Sequence, residues 1–343
     1  YIENIQVTPD VDTGEIQVEV VLSDPVEAED MAVDILLCDG PRIVEEMTIQ
    51  ADQVAYLKVP HPILWSPENP HLYDLEISLK QGETVVDHVK SYAALRKFHL
   101  IRDEDGYLRF ALNNKPLFLY GPLDQGYFPD GLYTAPNETA MLFDIQAAKA
   151  LGCNMIRKHV KVEPARWYYH CDKLGMIVWQ DMPNGGVPDQ PWQATLSMLL
   201  GYRRSDRHRL KRFGRTDPEN RELYRVQLKE MIDWLYHFAC IAVWVPFNES
   251  WGQFHAKEIA DWVKTYDPTR LVDHASGWFD QGGGDFVSKH VYVKKLKAPG
   301  KRQLRDRAFV ISEFGGYSLQ IKDHLWDAYE KFGYKFLPNT KDL

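Results

Sequence analysis

Apolar and polar residues alternate along Ile16-Gln-Val-Glu-Val-Val-Leu22 and again along Leu72-Tyr-Asp-Leu-Glu-Ile-Ser-Leu79, while Ala32-Val-Asp-Ile-Leu-Leu37 between them is mostly apolar. A period of two puts every second side chain on one face, which marks strands with one buried and one solvated side. Turn-forming residues separate the runs, and short alternating strands at this spacing predict an antiparallel sandwich. The expected first domain is an immunoglobulin-like β-sandwich over residues 1–98.

The period changes after Tyr92-Ala-Ala-Leu-Arg-Lys97, and Phe110-Ala-Leu-Asn-Asn-Lys-Pro-Leu-Phe-Leu-Tyr-Gly121 reads as a hairpin feeding a first buried strand. From there short apolar runs alternate with segments of helical spacing, the pattern of repeated βα units. Strands are predicted at Leu117–Gly121, Cys153–His159, Met176–Asp181, Ile241–Asn248, Arg270–Ala275, Phe286–Tyr292 and Phe309–Glu313. Helices are predicted at Ala140–Leu151, Pro164–Leu174, Glu219–Phe238 and Ala256–Tyr266, with Pro218 suited to a first turn. The expected second domain is an α/β TIM barrel of (β/α)8 type over residues 99–343. After Glu313, Tyr317–Phe332 leaves room for a loop and a helix, and Gly333–Leu343 adds no buried run. Strand eight is therefore expected to be lacking, the barrel being truncated at its carboxyl end. Unpaired edges on strands one and seven then predict self-association into a homo-oligomer.

Composition narrows the partners. The 343 residues carry a formal charge of −9, which repels nucleic acid phosphates. No apolar run is long enough to insert into a membrane, and no targeting segment is recognisable, so the compartment is left open. Cysteines 38, 153, 171 and 240 lack the spacing of a zinc site or a disulfide framework; Cys153 and Cys240 open apolar runs and are expected in the core. Aromatic residues make up 13% of the chain, which suits stacking on sugar rings as well as core packing.

Two acids end apolar runs: Glu249 in Ile241-Ala-Val-Trp-Val-Pro-Phe-Asn-Glu-Ser250, and Glu313 in Phe309-Val-Ile-Ser-Glu-Phe-Gly-Gly316. The carboxyl ends of buried parallel strands are where α/β barrels gather their chemistry. A pair of carboxylates across one bond is the equipment of a glycosidase: one gives a proton to the leaving oxygen, and the other attacks or stabilises the sugar carbon. Taken singly, each acid reads equally well as a solvated strand end or a structural ion-pair partner. Asn248, directly before Glu249, supplies an amide that can hold a sugar hydroxyl.

At these residues the chain resembles glycoside hydrolase family 2, the β-galactosidase, β-glucuronidase and β-mannosidase group of retaining enzymes. Asn248-Glu249 is similar to the Asn-Glu pair ending strand four in that family, and Glu313-Phe314-Gly315 to the signature ending strand seven. The resemblance implies that Glu249 is the general acid/base and Glu313 the nucleophile. Leu64-Trp-Ser-Pro-Glu-Asn-Pro-His-Leu-Tyr73 resembles the segment before the last hairpin of the family's immunoglobulin-like domain. The family's amino-terminal jelly-roll domain has no counterpart in the chain.

Further residues follow from strand ends and from the resemblance. Arg157, in Asn154-Met-Ile-Arg-Lys-His159, is similar to the family's strand-two arginine, and its alternative is a salt bridge to Asp181. Tyr292 falls where relatives place a tyrosine on the nucleophile, and His290 shares its face as either a packed core histidine or a substrate contact. Trp251 and Trp278 follow strands four and five and are read as stacking or structural; Trp179 and Asp181 are expected at the pocket floor. Many relatives carry histidine motifs after strands one and two. Here strand one runs into Gly121-Pro-Leu-Asp-Gln-Gly126 and strand two into Arg157-Lys-His-Val160, so Asp124 and His159 are the candidate hydroxyl contacts. No metal and no cofactor is expected. The leading expectation is a retaining β-glycosidase acting on a terminal β-linked sugar, a β-galactoside first, with a β-glucuronide or β-mannoside as alternatives. A non-catalytic carbohydrate-binding protein or an assembly module on a degenerate barrel is the competing reading. Retaining chemistry requires the two carboxyl groups roughly 5–5.5 Å apart.

Overall fold

The structure, a computed structural model, describes residues 1–24, 31–186, 205–208, 210–292, 295, 297–300, 304, 306–322, 325, 327 and 333–342. Seven antiparallel strands come first: β1 (Ile2–Asp10), β2 (Glu15–Leu22), β3 (Met31–Asp39), β4 (Arg42–Gln50), β5 (Ala55–Lys58), β6 (Tyr73–Gln81) and β7 (Thr84–Ala93). They form one sheet in the order β1-β2-β5 and another in the order β4-β3-β6-β7, an immunoglobulin-like sandwich. Alternation sets what each strand buries. Val33, Ile35 and Leu37 of β3 point inward with Leu75, Ile77 and Leu79 of β6, and Ile35 pairs with Ile77. A one-residue slip would turn all six toward solvent, so burial fixes the register.

The proline-rich stretch 64–73 joins the sandwich to the rest of the molecule. Trp65 is fully buried, and its indole N–H donates to the Asp172 carbonyl at 2.8 Å. Arg96, also buried, donates from Nε to the Ala239 carbonyl at 3.1 Å. A hairpin sheet follows, β8 (Phe98–Arg102), β9 (Leu108–Leu112) and β10 (Lys115–Pro116), with β9 lying against the later strand 308–314.

The parallel part comprises β11 (Leu123–Asp124), β12 (Met155–Lys158), β13 (Ile177–Asp181), β14 (Ile241–Val245), β15 (Leu271–Val272), β16 (Phe286–Val291) and β17 (Ala308–Phe314). Among the described residues four helices accompany it: α1 (Glu138–Ala150), α2 (Ala165–Leu174), α3 (Pro218–Leu235) and α4 (Ala256–Tyr266). Asp217 caps α3 by accepting from the Glu219 N–H at 2.9 Å, with Pro218 in the first turn. β12 to β14 are buried at every position, as befits parallel strands covered on both faces.

Strand one lies later than its apolar run predicts. Leu117–Gly121 does not pair; the ladder begins at Leu123, opposite Arg157. Pro122 has no N–H, and the Tyr120 N–H is taken by the Asn154 side chain at 3.0 Å, so this run offers β12 only carbonyls, Tyr120 to Asn154 and Pro122 to Arg157. Phe118 is correspondingly 84% exposed. Strand five is likewise shorter than Arg270–Ala275. The Asp285 carboxylate accepts from the Val272 N–H at 2.8 Å, while the Asp285 N–H donates to the Val272 carbonyl, so a side chain replaces the ladder between β15 and β16. The parallel strands thus pair as a group of five, β11 to β15, and a group of two, β16 and β17.

Among the described residues no strand pairs with the outer edge of β11 or β17, and the fold is a partial TIM barrel. Where a loop and helix were expected after Glu313, β18 (Tyr317–Leu319) pairs in parallel with β19 (Lys335–Leu337); most of the expected helix lies outside the described residues. Cys240 is fully buried, whereas Cys153 is only half-buried. Among the described residues no helix is long and apolar enough to cross a membrane.

Candidate active site

β14 ends at Val245, and the chain then turns sharply. The Glu249 N–H donates to the Ser276 carbonyl at 3.0 Å, and Glu249 and Ser250 adopt φ of 49° and 66°. Left-handed backbone at two successive non-glycine residues is strained, and such strain persists where surrounding contacts over-determine it. Asn184 helps by donating to the carbonyls of Asn248 at 3.1 Å and Trp251 at 2.7 Å.

A bulge delivers Glu313. Lys289 pairs with Ile311 but His290 pairs with Glu313, leaving Ser312 as the extra residue. The bulge turns the Ser312 hydroxyl toward Ser276 at 3.0 Å and Ser288 at 2.6 Å, and sets Glu313 level with His290. Re-aiming a side chain is a recurrent use of bulges beside active sites.

The two acids meet through His290. Its Nδ1 lies 2.9 Å from Glu249 Oε1, and its Nε2 lies 3.3 Å from Glu313 Oε1 and 3.1 Å from Ser276 Oγ. Acid oxygens of Glu249 and Glu313 and a ring nitrogen of His290 all fall within 4.8 Å of one another. The imidazole side chain is wholly buried, and burial pulls its pKa down to about 3, so it is neutral at ordinary pH. A neutral ring has one N–H and can donate to only one of its partners, which links its tautomer to the protonation of the two acids. His290 thus lies buried in hydrogen-bonding reach of Glu249 and close to Glu313.

Arg157 ties this pair to the strands beside it. It donates from Nη1 to Glu313 Oε1 at 3.0 Å, from Nη2 to Asn248 Oδ1 at 2.9 Å, and from Nε and Nη2 to Asp181 at 3.0 and 2.9 Å. Both alternatives read from the sequence hold at once: one guanidinium serves Glu313 and Asp181 together. Burial opposes its charge, but the two carboxylates outweigh that and raise its pKa. Tyr292 donates to Glu313 Oε2. His159 faces the Asn248 amide at 2.8 Å and Glu313 Oε1 at 3.9 Å. Burial raises Glu249 above the usual carboxylate range, against the pull of His159 and Arg157.

The remaining candidates divide. Asp181 is fully buried beneath Arg157, and Trp179 is buried against Phe286. Asp124 is committed elsewhere, to Lys158 at 2.6 Å and to the Gly126 N–H at 2.7 Å. Its neighbour Gln125 reaches His159 Nδ1 at 3.4 Å. Trp278 lies edge-on to His290 at 5.9 Å, and Trp251 is 39% exposed just beyond Glu249. Four residues were not singled out from the sequence: Asn184, Ser276, Ser312 and Asp273. Asp273, directly after β15, is fully buried, and burial pushes it up to about 6 against the pull of Arg157. Its only sequence signal was an acid following an apolar run, the same signal that drew attention to Glu249.

Glu249, His290 and Glu313 form the one cluster among the described residues with donor atoms close enough to suggest a metal. Arg157 and Tyr292 already occupy both oxygens of Glu313, one of them with a positive charge. This chemistry fits a hydrogen-bonded carboxylate pair better than a metal centre.

Comparison with known proteins identifies the family of both parts of the chain. Residues 1–96 match the family described as Glycosyl hydrolases family 2, and residues 104–305 match Glycosyl hydrolases family 2, TIM barrel domain. A β-galactosidase of Leuconostoc mesenteroides is 25% identical over 314 residues, covering 85% of this chain and 27% of that protein. A β-galactosidase of Pectobacterium atrosepticum is 29% identical over 250 residues, covering 72% of this chain and 22% of its own length. The chain therefore spans about a quarter of the length of these relatives. Among solved structures, a β-D-glucuronidase of Dictyoglomus thermophilum superposes with a TM-score of 0.73 at 16% identity, over 98% of this chain and 57% of that one. A β-glucuronidase of Parabacteroides merdae gives 0.70 at 20% identity, over 93% and 40%. At these identities the structural likeness speaks for the fold alone.

Proposed function

The chain belongs to the glycosyl hydrolases of family 2, and from that premise we propose that its barrel, over residues 99–343, carries the active site of a retaining β-glycosidase. The observation that carries the reading is the approach of Glu249 and Glu313 to within 4.8 Å around one buried imidazole. An approach of this order is nearer to the roughly 5–5.5 Å of a retaining pair than to the about 6.5–9.5 Å of an inverting one.

Glu313 is the nucleophile. It attacks the anomeric carbon as the glycosidic C–O bond breaks, and Glu249 gives its proton to the departing oxygen. Glu249 then takes a proton from water, which attacks the same carbon and frees Glu313. Burial, by raising Glu249, keeps it protonated to a higher pH than an exposed carboxyl, as the first step requires. Arg157 holds Glu313 in place and hydrogen-bonds Asn248, whose amide also faces His159. Asn248, His159, Trp251 and Trp278 are the proposed sugar-facing groups, while His290, Tyr292 and Asp181 set the geometry of the acids.

The sugar is proposed to be a β-galactoside, the activity named for the relatives found by sequence. Arg157, Lys158 and Lys161 are each held by carboxylates, which leaves these three cations no charge to spare for a uronic acid. A panel of chromogenic β-glycosides, run on the protein at its full natural length, tests activity and sugar together. Glu313→Gln should remove turnover on every substrate, whereas Glu249→Gln should spare activated aryl glycosides in the first step. Equal losses on activated and unactivated substrates, with folding intact, would reverse the assignment. Binding without turnover would favour a carbohydrate-binding protein.

A further inference from the structure

The chain beyond Glu313 brings one more aromatic ring to the site. Tyr334 stacks on Tyr292 with ring centroids 3.9 Å apart and planes 13° from parallel. Its backbone is tied down beside the acid: the Tyr334 N–H donates to the Gly316 carbonyl at 2.9 Å, and the next three residues pair in parallel with Tyr317–Leu319. Gly316 makes the approach possible. It sits at φ +66°, and a Cβ there would lie 2.4 Å from Tyr334 Cδ2 and 3.4 Å from Tyr292 Cδ1. The second glycine of Glu313-Phe-Gly-Gly316 thus opens the space in which the two rings meet.

We propose that Tyr334 is a positioning residue that acts through Tyr292, clamping its ring so that the phenol hydroxyl stays on Glu313. Tyr292 follows the last residue of β16 and is only half-buried. His290 meets it edge-on at 6.1 Å, and Tyr334 covers a face of the ring. A phenol must hold both its ring plane and its direction for its hydroxyl to meet one carboxylate oxygen. Tyr334 is 43% exposed, so its contact with Tyr292 and the short β18–β19 pairing, rather than a core, hold it against the site. Tyr334 therefore supplies an element of the site that is formed only when Gly316 and Tyr334 come together. An offset aromatic pair contributes about 0.5–1.5 kcal/mol, which corresponds to roughly a two- to twelvefold change in rate.

The inference rests on the glycosidase reading, and its test separates the two. Tyr334→Ala and Tyr334→Leu should lower kcat on a turned-over aryl β-glycoside by up to about tenfold with a smaller effect on KM, and Tyr334→Phe should restore it. In a double-mutant cycle, Tyr334→Ala should cost little once Tyr292→Phe has removed the hydroxyl. Additive losses, or a loss confined to KM, would overturn the proposal. If the parent protein turns over no glycoside, the functional reading falls, and the clamp is judged by chemistry that needs no substrate. Nitration by tetranitromethane, read by peptide mass spectrometry, should reach Tyr292 several times faster in the Ala and Leu variants than in the parent or in Tyr334→Phe. An unchanged rate at Tyr292 would overturn the clamp whatever the enzyme does.

Discussion

The sandwich and the barrel fill their interiors with different chemistry. Every buried polar or charged residue among those described lies at Arg96 or beyond; the sandwich core is aliphatic, with Tyr73 its only large aromatic ring. The barrel buries Arg157, Asp181, Asp273, His290 and Glu313 in one place, and Lys158, Lys161 and Glu163 in another. Apolar burial stabilises without direction, whereas a buried charge costs free energy unless a partner meets it in good geometry. The sandwich can therefore be read as support, and the barrel interior as a site whose stability depends on each ion keeping its partner.

That contrast predicts unequal responses. The largest effect belongs to Arg157→Met, which leaves Asp181 and Glu313 buried without their cation. It should cost on the order of 3–5 kcal/mol in urea unfolding and remove activity. A stability loss below about 1 kcal/mol would mean that the site is wetter than its burial indicates. Leu37→Ala in the sandwich should cost about 2–5 kcal/mol through cavity formation, yet leave kcat of the folded protein unchanged. A change in kcat from this core substitution would break the division into support and site.

Asp273 tests the cost of an imperfectly partnered ion. Its pKa is raised on folding from the model-peptide value to about 6. The folded state therefore holds the proton more tightly, and stability declines as pH rises from about 4 through about 6. Asp273→Asn should cancel this dependence, stabilising the protein at pH 7 by up to about 3 kcal/mol while matching the parent below about pH 4. A flat pH profile in the parent would show that Asp273 is better solvated than its surroundings suggest. The smallest effect is expected at the exposed Lys90–Glu76 pair on the sandwich surface, where Lys90→Ala should leave the melting midpoint unchanged within error.

The architecture and the two principal acids were legible because local signals carry them. The alternation of β2 and β6, the change of period after Lys97, and the strand-end positions of Glu249 and Glu313 are all short-range patterns. Strand one was misplaced because an apolar run says nothing about which amides are free to pair, and Pro122 removes one of them. His290 was left between core residue and substrate contact because alternation gives its face of β16 but not what stands opposite. The bulge at Ser312 was invisible for the same reason: an extra residue appears only when two strands are laid side by side.

The sequence alone determined that short alternating strands precede repeated βα units and that two carboxylates follow apolar runs, since periodicity and run ends are properties of neighbouring residues. Only the tertiary structure decided that Arg157 serves Glu313, Asn248 and Asp181 together, that one neutral imidazole separates the acids, and that Tyr334 returns to lie on Tyr292. These contacts join groups far apart in the sequence, and their geometry follows from register, bulges and backbone approach, which no pattern of neighbouring residues encodes.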